Sequence, residues 1–202
     1  MQRPSQIDDA AYVERLARLQ GRWWKRLLDV QRPYRWYLRR LNLGFVLDVG
    51  CGIGRSLRNA GGHGVGVDTN AAAVAVCRAK GLDAYTDQEF LRSPWARPDR
   101  FDALLLSHVV EHMRFSEASE LLLQYLPFVK PAGKVVIIAP QARGFASDPT
   151  HVEPFDFAKL ARLFEGASIR LRYQCSFPLP TAFGAVFTHN ESIVVGETPR
   201  AI

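Results

Sequence analysis

Residues 45–54, Phe-Val-Leu-Asp-Val-Gly-Cys-Gly-Ile-Gly, constrain this chain more than any other stretch. An apolar run passes through Asp48 and Val49 and then meets glycine at alternate positions, Gly50, Gly52 and Gly54. Such a run reads as a buried parallel strand. Glycine is needed where backbone turns with positive φ or comes close to a ligand. A strand that opens through such a turn into a helix makes a nucleotide site at the carboxyl edge of an open sheet.

The rest of the chain alternates around that turn. A short helix is expected over Ile53–Ala60, stopped by Gly61 and Gly62. Gly64–Asp68 reads as a second strand and Ala71–Lys80 as a helix capped by Thr69 or Asn70. Asp83–Thr86, Phe101–Leu106 and Lys134–Ala139 read as further strands. Ser116 is expected to cap a helix to Leu126, Pro140–His151 to be a long loop, and Phe155–Phe164 to be a helix. Two successive strands, Ser168–Gln174 and Ser192–Glu197, end the chain. This alternation predicts an α/β fold, a mostly parallel, doubly wound sheet with helices on both faces.

Charge divides the chain in two. Residues 1–44 hold ten Lys and Arg against four Asp and Glu, which accounts for the whole net charge of +6; the remainder holds 16 of each. Residues 1–43 are therefore expected to form a basic helical arm, and 44–202 the catalytic body. In the arm, Tyr12, Leu16, Leu19, Trp23, Leu27 and Val30 recur at helical spacing over residues 8–30. A second helix is expected around Pro33, with Tyr34, Leu38 and Leu41 on one stripe. Packing on the body with a solvated basic face is the plain reading. A lid, a homodimer contact or a peripheral membrane anchor are the sharper ones. No apolar run reaches the roughly 18 residues of a membrane span, and no signal-peptide pattern opens the chain. Cys51, Cys77 and Cys175 are too few and too scattered for a disulfide framework or a zinc site. A cytoplasmic protein with free thiols is expected.

The glycine turn discriminates between cofactors. A dinucleotide fingerprint would put its third glycine at position 55, which is Arg55. Asp48 would repel a pyrophosphate but suits a ligand with an ammonium group. Asp68, 20 positions later, is placed to take ribose hydroxyls. S-adenosylmethionine carries both groups. Val46–Arg55 resembles the first motif of class I S-adenosylmethionine-dependent methyltransferases. Phe101-Asp102 with Ser107–His112 resembles the segment after strand four in their small-molecule branch, and Val129–Gly133 their Lys-Pro-Gly-Gly turn, with Ala132 in place of one glycine. The resemblance covers about residues 44–197 and implies seven strands with the last antiparallel. It further implies Gly50, Cys51, Gly52 and Gly54 beside the methionine part of the cofactor, with Asp48 near its ammonium. Asp68, Thr69 and Asn70 would meet the ribose, Asp87 and Gln88 the adenine, and Ser107 and His108 the sulfonium.

Methyl transfer to a hydroxyl needs a group that takes the proton, and histidine suits neutral pH. His151 is the first candidate and His108 the second, with Glu111 beside them; ordering of its own loop is the competing role for His151. Glu111, His112, Asp148, His151 and Glu153 could also hold Mg²⁺. The segment after strand four lacks the Pro-Pro-aromatic motif of base N-methyltransferases, which argues against nucleic acid. Trp23, Trp24, Phe145, Phe155, Phe177, Phe183 and Phe187 could stack on sugar rings, although packing explains most of them. The chain is similar to bacterial methyltransferases of polysaccharide building, such as the mycobacterial methylmannoside 1-O-methyltransferase group. The expected acceptor is thus a sugar or oligosaccharide hydroxyl. The alternatives are a quinone, phenol or other lipophilic molecule and, further off, RNA.

Overall fold

The computed structural model describes residues 32–200. The helix expected over 8–30, with Trp23 and Trp24, lies outside the described residues. Helix α1, Arg32–Arg40, comes first; then β1 Val46–Val49, α2 Arg55–Asn59, β2 Gly64–Val67, α3 Ala71–Ala79 and β3 Ala84–Tyr85. They are followed by α4 Asp87–Leu91, β4 Phe101–Ser107, α5 Phe115–Tyr125 and β5 Val129–Pro140. Helices α6 Ala142–Phe145 and α7 Phe157–Gly166 precede β6 Arg170–Phe177 and β7 Glu191–Glu197. The strands form one seven-stranded sheet in the order β3-β2-β1-β4-β5-β7-β6. Pairs among β1 to β5 are parallel, and β7 runs antiparallel to both β5 and β6.

The central strands β1, β2 and β4 and the second half of β5 are mostly apolar because both faces are covered, whereas the edge strand β6 is largely exposed. Successive side chains point to opposite faces. Leu104 and Leu106 of β4, with Val135 and Ile137 of β5, pack beneath Leu122 of α5 and Leu160 and Phe164 of α7. Ala103, Leu105, Val136 and Ile138 pack on the other face beneath Tyr34, Tyr37 and Leu38 of α1 and Leu57 of α2. Helix α1 thus completes one side of the core, while Arg32, Trp36, Arg39 and Arg40 face solvent. Lys134 holds its carboxyl end by donating to the carbonyls of Leu41 and Asn42 at 2.7 and 2.9 Å. A cation there also complements the helix dipole.

One helix was not foreseen and three local expectations need correction. Asp87–Leu91 is a helix, capped by Thr86, whose hydroxyl accepts from Glu89 N–H while Glu89 accepts from Thr86 N–H. This is a capping box, and Thr-x-x-Glu was its signal. Ser116 lies inside α5, whose first turn is closed by Glu117 accepting from Arg114 N–H at 2.7 Å. The 140–151 loop contains α6. Helix α7 starts at Phe157 under the Asp156 cap, and Phe155 is buried ahead of it.

Candidate functional site

The carboxyl ends of β1, β2, β4 and β5 share one edge of the sheet, and the functional groups gather there. The glycine turn is built from backbone. Gly50, Gly52 and Gly54 have φ of 72°, 52° and 78°. A Cβ on Gly50 would stand 2.4 Å from Val109, so glycine lets the segment after β4 close on the turn. The amides of Gly50 and Cys51 donate to the Val67 carbonyl at 2.8 and 3.0 Å. Asp68 ties the same turn to the end of β2. Its carboxylate accepts from Gly52 N–H at 2.7 Å and from Asn70 N–H at 2.9 Å. Each oxygen keeps a further lone pair for a hydroxyl. Burial raises the Asp68 pKa, with the two amides pulling the other way.

Asp48 stands behind this turn. It is 1 % exposed, and neither carboxylate oxygen has a hydrogen-bond partner among the described residues. Burial pushes its pKa up to about 7; the Leu57 amide opposes this, Asp68 adds to it and Arg55 opposes it. A buried carboxylate in this state calls for a proton or a cationic partner.

After β4 the chemistry comes from side chains. Ser107 is buried, and its hydroxyl is bonded to Tyr34 of α1 at 2.7 Å. Burial drives the Tyr34 phenol upward, with Glu191 adding to this. His108 follows in the left-handed region, at φ 59°. Its Nε2 meets Glu191 at 2.7 Å and its Nδ1 lies 3.3 Å from Glu111. Burial alone would lower the His108 pKa; Glu191 and Glu111 reverse that and carry it to about 9. The ring is therefore a clamped imidazolium at neutral pH, without a free lone pair to act as a base.

One 3₁₀ turn further, Val110–His112, a second group forms. Glu111, His112 and His151 can each place a ligand atom within 4.8 Å of the others. The loop after β5 is fixed there by Val152 and Glu153 N–H, which donate to the Glu111 carbonyl at 2.7 and 3.3 Å. His112 Nδ1 lies 3.2 Å from the Thr150 carbonyl, and His151 Nδ1 lies 2.7 Å from that of Phe145. A carbonyl can only accept, so both rings carry the Nδ1 proton and expose the Nε2 lone pair. Phe145 stacks on His151 with centroids 5.2 Å apart.

Comparison with known proteins settles the class. Residues 13–184 match the family described as methyltransferase domain. The chain belongs to that family. A ubiquinone biosynthesis O-methyltransferase of Hahella chejuensis is 27% identical over 129 residues, which span 54% of this methyltransferase and 53% of the relative. The match thus spans about half of the curated relative. Among solved structures, an S-adenosylmethionine-dependent methyltransferase of Archaeoglobus fulgidus aligns with a TM-score of 0.60 at 20% identity, over 88% of this chain and all of that one. The complex of the Haloferax volcanii Trm112 methyltransferase activator with a methyltransferase aligns with a TM-score of 0.71 at 17% identity, over 97% and 100%. At these identities the structures speak to the fold.

The remaining expected site residues of this methyltransferase are distributed as follows. Asn70 caps α3 by accepting from Ala73 N–H at 2.9 Å, and Thr69 is exposed beside it. Asp87 opens α4 and accepts from Tyr125 at 2.9 Å, while Gln88 is exposed. The Cys51 and Cys77 thiols both point at the Gly52 carbonyl, at 3.6 and 3.1 Å. Asp148 and Glu153 stand apart from the histidine pair's ligand set. Asp148 accepts from the Thr150 hydroxyl at 2.7 Å, and Glu153 binds Lys159 at 2.7 Å and Phe115 N–H at 2.7 Å. Phe183 is half-exposed on the turn before β7. Tyr34 and Glu191 were not foreseen. A hydroxyl on the apolar stripe of α1 was a faint signal for Tyr34; Glu191 gave none, since its partner is 83 residues away.

Proposed function

We propose that this protein transfers a methyl group from S-adenosylmethionine to the hydroxyl of a small molecule. The observation that carries the reading is the pairing, on one sheet edge, of a positive-φ glycine turn held by Asp68 with a histidine whose tautomer is fixed for proton abstraction. The turn, Asp68 and the exposed polar edge at Thr69 and Gln88 would take the methionine, ribose and adenine parts. Asp48 would favour the ammonium through its field, which acts strongly where the dielectric is low. Ser107, positioned by Tyr34, would border the sulfonium.

In this reading the acceptor docks against the loop after β5, and His151 Nε2 takes its proton as the oxygen attacks the methyl carbon in line. The His108 imidazolium holds the post-β4 segment and adds positive field. A sugar or oligosaccharide hydroxyl, including a methylated mannoside precursor, is the first acceptor class, with Phe145 as a stacking face beside the base. A lipophilic phenol is the second. It is favoured by the exposed Phe183, Val186 and Phe187 and by the likeness to the Hahella O-methyltransferase. The exposed Trp36 of α1, with Arg40 5.5 Å from its ring centroid, would then rest on a membrane surface. Among the described residues no helix is long and apolar enough to cross one. Mg²⁺ has no place in this reading, because the gathered groups offer one carboxylate and two imidazoles, and Mg²⁺ prefers oxygen. Incubation with methyl-labelled cofactor and separate pools of oligosaccharides, phenols and RNA tests the proposal. Label in a hydroxyl compound supports it; label in RNA alone overturns it.

A further inference from the structure

We propose that Glu111, His112 and His151 form a binding site for one divalent first-row transition ion of the Mn²⁺ to Zn²⁺ series. The inference goes beyond the reading above: it leaves methyl transfer to a hydroxyl in place and changes His151 from base to ligand.

Three independent observations support it. First, the three residues offer ligand atoms within 4.8 Å of one another, from two segments that backbone hydrogen bonds hold together. Ligands at about 2.1 Å from a tetrahedral centre stand about 3.4 Å apart, so a cation would draw the set in by at most about 1.4 Å. Second, Glu111 is fully buried and neither of its oxygens has a hydrogen-bond partner among the described residues. Among the described residues its ion-pair partner is the His108 imidazolium, 3.3 Å away at Nδ1, a charge that Glu191 shares through Nε2 at 2.7 Å. A buried carboxylate without hydrogen bonds is costly unless something cationic completes it. Third, both imidazoles face a backbone carbonyl at Nδ1, at 3.2 and 2.7 Å. That is the arrangement that orients a metal-bound histidine and presents Nε2 to the ion.

The donor set also selects the ion. Two imidazoles and one carboxylate suit Mn²⁺, Fe²⁺, Co²⁺ and Zn²⁺, whereas Mg²⁺ demands oxygen and retains its waters. Three protein ligands leave coordination positions open, as in sites that bind substrate. An acceptor with two neighbouring oxygens, a sugar diol or a catechol, would fill them, and its bound hydroxyl would become acidic enough to lose its proton to solvent before the oxygen takes the methyl group.

The test is equilibrium binding to the tag-free full chain, stripped with chelator, in the absence of cofactor and acceptor. Co²⁺ is the probe, read by its visible absorption, with Zn²⁺ as competitor and Mg²⁺ as the contrast. One equivalent of Co²⁺ should bind, Zn²⁺ should displace it and millimolar Mg²⁺ should not. His112→Ala and His151→Ala should each weaken binding at least about 100-fold, more than the loss of a supporting partner does. His63→Ala and His189→Ala should leave it unchanged. Glu111→Gln guards against misfolding in the alanine variants: it keeps size and burial but lowers affinity. Failure of the native chain to bind Co²⁺, or equal binding by His112→Ala and His151→Ala, would overturn the site. If no ion binds while His151→Ala still stops methyl transfer, the base reading stands and the metal falls. If the ion binds and no hydroxyl is methylated, the site stands and the functional reading falls.

Discussion

The two halves of the sheet edge, to which the proposed function gives the methyl donor and the acceptor, are built by different means. At the ends of β1 and β2 the work is done by backbone: three positive-φ glycines, paired amides on Val67 and one carboxylate that joins turn to strand. At the ends of β4 and β5 it is done by side chains that converge from far along the chain. His108 meets Glu191, Tyr34 meets Ser107, and His151 comes beside His112. Each half also buries a carboxylate without a hydrogen bond among the described residues, Asp48 on one side and Glu111 on the other. A backbone-built half suits a donor that does not vary. A side-chain-built half suits an acceptor that can change by substitution of a few residues.

The largest effect should come from the acceptor half. His151→Ala is expected to lower kcat by about 10²–10⁴ while cofactor affinity stays within about twofold of the native value by calorimetry. A matching loss of cofactor affinity would mean that the halves are not separable. The pH dependence of stability comes next. The folded pKa of His108, about 9, lies above the ordinary 6.5. Its charged form therefore stabilises the fold fully below about pH 6.5, and that contribution is lost as pH rises through about 9. With 28 % of its side chain exposed, this should amount to about 2 kcal/mol. Thermal unfolding at pH 6.5 and 9.5 should show the drop in the native protein. Glu191→Gln should be less stable at pH 6.5 and show a smaller drop.

In the donor half, Asp48→Asn should separate stability from binding. The raised pKa means that Asp48 weakens the fold progressively as pH rises from the ordinary carboxylate range to about 7, and by a constant amount above that. Three pKa units correspond to roughly 4 kcal/mol; the amide leaves buried donors of its own, so a gain of about 2 kcal/mol at pH 8 is expected in denaturant unfolding. Cofactor affinity should fall about tenfold, and in the native protein it should rise with pH as Asp48 ionises. Stabilisation with unchanged affinity would remove Asp48 from the ammonium site. The smallest effect belongs to neither half. Ala132 sits at φ 57° in the exposed first part of β5, where glycine is relaxed. Ala132→Gly should stabilise by about 0.5–1 kcal/mol without altering turnover.

This contrast also explains what could be read from sequence. The geometry of the glycine turn was legible because its signals are local: the spacing of Gly50, Gly52 and Gly54, and an acid at the end of each of two adjacent strands. The fold was legible because βα alternation leaves few topologies, and the closing β6–β7 pair fitted the family's antiparallel strand. The acceptor half was legible only as a collection of residue types. Sequence placed His108 among the bases, but two carboxylates, one of them 83 residues distant, stabilise its protonated form. Sequence grouped five metal-ligating residues, of which Asp148 and Glu153 are held by Thr150, Lys159 and Phe115 instead. Tyr34 read as one more residue on an apolar stripe, and only the packing of α1 over β4 puts its hydroxyl on Ser107.

The most direct measurement is a methyl-transfer assay with labelled S-adenosylmethionine, native protein and His151→Ala in parallel, against oligosaccharide, phenol and RNA pools. The account predicts label on a hydroxyl of an oligosaccharide or phenol with the native protein, and none above background with His151→Ala although it still binds the cofactor. Label on RNA alone, or equal label from both proteins, would contradict it.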